Sequence, residues 1–246
     1  MSFSDLVRRA SFDQLIRIIV SLKLKYYPTL DIIKLYSMRR RFAIIRINNF
    51  VLVAPITYAI YQPPICEPKT YRFLQTVVSK NSEGYFLDVG AAIGSYAIPV
   101  AEKGWNVVAI EPNPLAYAAL LLNARLNDVS IKAINKAAYN KQGKIRLNGL
   151  YVETITLDDL REKFDIIKID CDGCERHVVE GGLETLRRAK YIIIEERTET
   201  FEYVHKYLKA LGKKVVAVEP LYSVSLSGIL LKPRVKPGDF NVIYSS

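Results

Sequence analysis

The sequence predicts an α/β fold, a doubly wound and mostly parallel sheet of seven strands with helices on both faces, preceded by a small helix-plus-hairpin module. Three observations carry that expectation. Short apolar runs rich in Val and Ile alternate with amphipathic runs from residue 69 to the end, the order in which a parallel sheet is wound. The stretch YFLDVGAAIGS passes from an apolar run holding Asp88 into Gly90 and Gly94 and then into a helical pattern, so it reads as strand, tight turn and helix. Residues 106–110 are a second apolar run, too short for a helix, and Glu111 closes it 23 residues after Asp88.

Each element has its own signal. Phe12, Leu15, Ile16, Ile19 and Leu22 recur at helical spacing beside Arg17, Lys23 and Lys25, which predicts an amphipathic helix over residues 12–26. Residues 42–61 are apolar enough to raise a membrane span, but Arg46, Asn48, Asn49 and Pro55 interrupt them. FAIIRI and FVLVAPI read instead as a hairpin turning at Asn48-Asn49, since Asn tolerates the positive φ of a two-residue turn. QPPICEP is a linker fixed by three prolines, and residues 69–79 form a helix leading into the main domain. This divides the chain into a basic module over 1–80 and a catalytic domain over 81–246.

Beyond Glu111, Leu115, Ala118, Ala119, Leu122 and Leu126 set a helix over 114–127, and residues 129–134 are the third strand. Residues 144–147 read as a short extra strand and residues 164–170 as the fourth of the main sheet. One helix follows over 175–189, carrying Gly181 and Gly182, then a fifth strand over 191–195. A helix over 200–211 stops at Gly212, and residues 215–218 and 240–244 are the last strands.

Composition narrows the class. Half of the 246 residues are hydrophobic, enough for a sizeable core without staples. Cys66, Cys171 and Cys174 are too few to imply a disulfide framework, so a reducing, cytoplasmic location and no disulfide partner are expected. The Ile-, Val-, Lys- and Tyr-rich usage drifts toward that of thermophile proteins. Of the net charge of +10, a surplus of seven falls in residues 1–46, where ten Lys and Arg face three Asp. Such an arm suits RNA, an anionic membrane surface met peripherally, or an acidic partner, and a solvated face is the plain alternative.

A glycine turn followed by an acidic residue at the end of the next strand is the layout of a nucleoside-binding unit, the carboxylate taking ribose hydroxyls. The GxxxG spacing suits a pyrophosphate poorly, and Asp88 adds negative charge beside it. A cationic ligand fits better, and S-adenosylmethionine, an adenosine joined to a sulfonium amino acid, is one. DVGAAIG with EPNP resembles the first motif and following acidic loop of class I S-adenosylmethionine-dependent methyltransferases. That resemblance implies a Rossmann-like fold and places Asp88, Gly90, Ala91, Gly94, Glu111, Pro112 and Asn113 around the cofactor, with Ala138 near the adenine.

Asp88, Glu111, Asp170 and the pair Glu195-Glu196 each close a strand, and KIDCDGCE at 168–175 is the densest ionisable group there. A carboxylate at that place could act as general base, position a hydroxyl or bind a metal, whereas Asp172 and Glu175 could simply cap the next helix. CDGC could be a redox or zinc pair, but with two histidines in the chain packing is the expected role, and no metal is expected. TLDDL, DIIKIDCDGCE, VVEGG and IIIEE, in that order, resemble the FkbM-type methyltransferase family. The resemblance implies methylation of a hydroxyl, often on sugars, with Asp170 facing the methyl group and Asp172 and Glu175 standing for the family's two Glu. The chain departs at Ala92, where the family has Asn, and at Cys171, Asp172 and Cys174.

The expected activity is O-methylation of a hydroxylated small molecule or saccharide. SYAIPVAEKG with LLLNARLND also resembles tRNA methyltransferases, which keeps an RNA acceptor as the rival. A third reading is a non-catalytic binder of the cofactor at a membrane or partner.

Overall fold

The structure, a computed structural model, describes residues 31–34, 42–47, 50–55, 58, 62–147, 149–227 and 230–246. The helix expected over 12–26 and the turn at Asn48-Asn49 lie outside these residues. Strands β1 (Asp31–Lys34), β2 (Phe42–Ile47) and β3 (Phe50–Pro55) pair antiparallel in that order. Helices α1 (Pro63–Cys66) and α2 (Pro68–Ser79) follow, each with proline in its first turn, where the missing N–H costs no hydrogen bond.

Strand β4 (Tyr85–Val89), helix α3 (Ala97–Glu102), β5 (Asn106–Ile110), α4 (Pro114–Leu126) and β6 (Lys132–Ile134) make two successive parallel crossovers. A side sheet comes next from β7 (Ala137–Ala138), β8 (Gly143–Leu147) and β9 (Leu150–Ile155). The main sheet resumes with β10 (Ile166–Ile169), α5 (Glu175–Glu180), α6 (Leu183–Arg188), β11 (Tyr191–Arg197) and α7 (Thr198–Ala210). Strands β12 (Lys214–Ser227) and β13 (Leu230–Ser245) close it.

Among the described residues the main sheet runs β12-β13-β11-β10-β4-β5-β6, parallel except that β13 is antiparallel to both its neighbours. The order reverses between β4 and β10. A crevice opens at such a switch point, at the carboxyl ends of the strands. Alternate residues feed two cores, with Leu87, Ile167, Ile169 and Ile194 on one face and Phe86, Ile166, Ile193 and Ile243 on the other, under Tyr71, Leu74 and Val78 of α2.

Two elements differ from the sequence reading. The helix expected over 175–189 is broken at Gly181-Gly182, where the Tyr139 carbonyl oxygen lies 2.2 Å from the place of a Cβ on Gly181, so only glycine fits. The last two strands run well past residues 215–218 and 240–244, as one long hairpin whose outer half pairs Tyr222 with Val235 and Ser227 with Leu230. Pro220, Pro233 and Pro237 hid them, since proline reads as a strand breaker in all but edge positions.

Strand β3 docks on α4 rather than on a sheet edge. Asn123, wholly buried, accepts from the Val53 N–H at 2.7 Å and donates to the Val53 and Ile93 carbonyls at 3.0 and 2.9 Å. One turn on, Asn127 makes the same pair of bonds to Val51. Ile45, Phe50 and Leu52 then pack on Ile93, Ile98 and Ala119.

Candidate active site

The glycine turn is held by its neighbours on both sides. Gly90 and Gly94 have φ of +79° and +92°, and a Cβ on Gly90 would stand 1.7 Å from the Asp170 carbonyl oxygen. No side chain fits there, so the glycine loop and the Asp170 loop touch backbone to backbone. Ala91 is buried under α2, and the Gly90 and Ala91 amides both bond the Ile110 carbonyl at 2.9 and 3.0 Å.

Glu111 is buried at the end of β5 and accepts from the Ala92 N–H at 2.8 Å and the Asn113 N–H at 2.7 Å. Burial pushes its pKa up in spite of those bonds. Asn113 caps α4 through Leu115 and Ala116, with Pro112 between it and Glu111, and Ala138 sits buried in β7 beside the same end of the sheet. Asp88 is 2% exposed and its Oδ2 has no hydrogen-bond partner among the described residues. Burial raises it to about 7, against the pull of Lys168. An orphaned buried carboxylate oxygen near two positive-φ glycines, with a second buried carboxylate at the end of the next strand, fits a cationic nucleoside ligand.

Period-2 alternation builds the second half of the site. Asp88 pairs across the sheet with Lys168, and Glu195 with Asn241, all on the face carrying Phe86, Ile166 and Ile193. That face is apolar under α2 and turns polar at the strands' carboxyl ends. Lys168, 2% exposed, donates to Asp170 Oδ2 at 2.7 Å and lies 4.6 Å from the Tyr96 ring centre. Burial works against its ammonium, but Asp170, Glu67 and Asp88 outweigh that and hold it charged. Glu195 hydrogen-bonds Asp170, and burial together with that neighbouring anion lifts it to about 9.

Glu67, at the start of α2, reaches into the same cluster. Its Oε2 accepts from the Tyr96 hydroxyl at 2.8 Å and the Asn241 amide at 2.7 Å, and burial raises its pKa. Glu219 of β12 accepts from the Lys69 and Thr70 amides at 2.8 and 2.6 Å, so a carboxylate anchors the amino end of α2 over the sheet. Glu67, Asp170 and Glu195 each offer an oxygen within 4.8 Å of the others, a set able to hold a cation, and the Lys168 ammonium already serves Asp170 in that way.

The structure therefore brings Asp88, Gly90, Glu111 and Asp170 together at the switch point. Asp172 and Glu175 sit on the loop after Asp170 but face differently. Asp172 is exposed at φ +55°, 4.0 Å from Arg197. Glu175 is 3% exposed and its Oε1 accepts from the Cys171 and Gly173 amides at 3.3 and 3.0 Å. Cys171 and Cys174, expected as packing thiols without a disulfide partner, are bonded to each other, because the turn at Asp172-Gly173 brings their Cα atoms to 5.5 Å. The sequence passed over Glu67, Tyr96 and Asn241. Only Asn241 had a usable signal, two residues from Ile243 on the inward face of the last strand.

A methyltransferase FkbM domain model matches residues 88–215. The chain is similar to the hexuronic acid methyltransferase AglP of Haloferax volcanii, 29% identical over 130 residues that cover 44% of this chain and 54% of that protein. It is also similar to the human tRNA (guanine(37)-N(1))-methyltransferase, 42% identical over 62 residues, 25% of this chain and 12% of that protein. The chain thus spans about half the length of the first curated relative and about a tenth of the tRNA enzyme. The fold is shared with the SAM-dependent methyltransferase from Agrobacterium tumefaciens, at a TM-score of 0.57 and 14% identity over 83% of this chain and 70% of that one. It is shared as well with M. jannaschii TYW2 in complex with AdoMet, at 0.51 and 16% over 83% and 84%. The matched domain runs from Asp88 through Glu111, Asp170 and Glu175 into β12, more than half the chain, and the protein belongs to the FkbM-domain methyltransferase family.

Proposed function

We propose that this protein is an S-adenosylmethionine-dependent O-methyltransferase acting on a hydroxyl of a saccharide or related small molecule. The observation that carries the reading is Asp170, an anion fixed by a buried lysine and touching the glycine loop backbone to backbone. The hexuronic acid enzyme among its relatives supports a saccharide acceptor. S-adenosylmethionine supplies a methyl group activated on a sulfonium, and the protein's task is alignment and proton removal. Glu111 binds ribose through the lone pairs its two backbone donors leave, and Asp88 faces the cationic end of the cofactor.

Asp170 accepts the hydrogen bond of the acceptor hydroxyl and takes its proton as the oxygen is methylated. Lys168 favours that carboxylate as an anion, and Glu195, whose pKa burial raises, hydrogen-bonds it. Glu175 shapes the loop rather than the reaction, since its Oε1 is already given to two backbone amides. Asp170→Asn should leave cofactor affinity within twofold and lower turnover by roughly 100-fold or more; unchanged turnover overturns the assignment. Labelled methyl from S-adenosylmethionine should enter a glycan or lipid fraction that survives nuclease.

The similarity to tRNA enzymes and the surplus of seven positive charges before residue 47 support a second reading, an RNA acceptor. Label lost on nuclease treatment selects it.

A further inference from the structure

The CDGC loop stands where three parts of the site meet. Its first cysteine follows Asp170, and the Cα of Cys171 lies 3.5 Å from where a Cβ on Gly90 would stand. The Sγ of Cys174 lies 3.8 Å from the carbonyl oxygen of Ala138 in β7. Between the two, Asp172 and Gly173 hold φ of +55° and +105°, a shape kept by the disulfide on one side and by Glu175 on the other. A ring closed over a sequence separation of three gains little for the fold as a whole, because such stabilisation grows with the length of chain enclosed. Its effect is local, and what is local to it is Asp170. Both cysteines are partly buried against the core, but the two residues between them, Asp172 and Gly173, are exposed, so the loop that carries the bond lies at the surface. Cys66, by contrast, is buried.

We propose that Cys171 and Cys174 are a positioning pair for methyl transfer, whose bond holds Asp170 against the donor loop and whose reduction slows turnover without loss of cofactor binding. The exchange balances with a dithiol as co-reactant. A thiolate of the dithiol attacks one Sγ, the second thiol resolves the mixed disulfide, and two electrons and two protons pass to Cys171 and Cys174. The dithiol leaves as a disulfide. Only the kinetic arm rests on the methyltransferase reading.

The test uses the full-length protein, oxidised or incubated with excess dithiothreitol under native conditions. Two thiols should become titratable, the amides of Cys171 and Gly173 should exchange at least tenfold faster, and S-adenosylmethionine affinity should stay within twofold. Methyl transfer to the acceptor fraction should fall at least fivefold and return on reoxidation with diamide. Cys171→Ser with Cys174→Ser should match the reduced protein and ignore dithiol, and the wild-type comparison stands even where that variant folds poorly. Thiols that resist dithiol in the native protein, unchanged amide exchange, or turnover equal or higher after reduction overturn the proposal. Cofactor binding without transfer in either state counts against the methyltransferase reading, and the exchange rates then decide this one.

Discussion

Ala92 holds φ of +48° inside the donor loop while its N–H bonds Glu111. A left-handed alanine costs about 1 kcal/mol or more, a strain Asn tolerates better. Ala92→Asn should stabilise the protein by about 1 kcal/mol, a rise of about 2–4 °C in melting temperature by calorimetry. Asp88 makes the opposite kind of statement. Its pKa, about 7 in the folded protein, is near 4 in an unfolded chain, so its contribution to stability is full below pH 4 and lost as pH rises through 7. If Asp88 faces the sulfonium as proposed, cofactor binding should have the reverse slope, because a positive charge favours the ionised form. Affinity measured by calorimetry should weaken about tenfold from pH 8 to pH 6, and Asp88→Asn should flatten that slope. Glu67, Glu111, Lys168 and Asp170 all face this carboxyl, so the profile is read as that of the cluster. Asp88 and Glu111 were legible because each closes an apolar run next to glycine or proline. Glu67 was not, since its place depends on how a three-proline linker folds.

At the scale of elements, α4 does work that its sequence pattern does not advertise. Asn123 and Asn127 fall one turn apart among leucines and alanines, where a polar residue reads as part of a solvent-facing stripe. They stand instead as substitutes for a neighbouring strand, satisfying both backbone groups of Val53 and of Val51. Asn123→Ala leaves three buried backbone groups without partners and should cost about 3 kcal/mol in urea unfolding, whereas an exposed position such as Glu102→Ala should cost under about 0.5. The parallel strands were readable within a few residues, because a fully buried strand is a short run of Ile and Val. The break in the helix after Glu175 was not, because the close approach at Gly181 is made by Tyr139, 42 residues earlier in the chain.

For the whole molecule, the fold class followed from alternation, but the way the segment before residue 80 joins the sheet did not. Glu219 and Asn241, from the last two strands, grip the start of α2, and β3 lies on α4. Removing residues 1–56 should therefore expose Ile93, Ile98 and Ala119 and lower the melting temperature by about 10 °C or more, seen as a single shifted transition. A melting curve that keeps its midpoint would show the remainder to be self-sufficient.

The contact between Gly90 and the Asp170 carbonyl also bears on how such an enzyme changes over generations. Any side chain at position 90 must push the two loops apart, so there is no graded path of small substitutions through that point. The spacing between the glycine loop and the Asp170 loop is inherited whole or lost whole. Novelty is channelled to the loops around it, and a lineage can exchange one acceptor for another while its reaction stays the same.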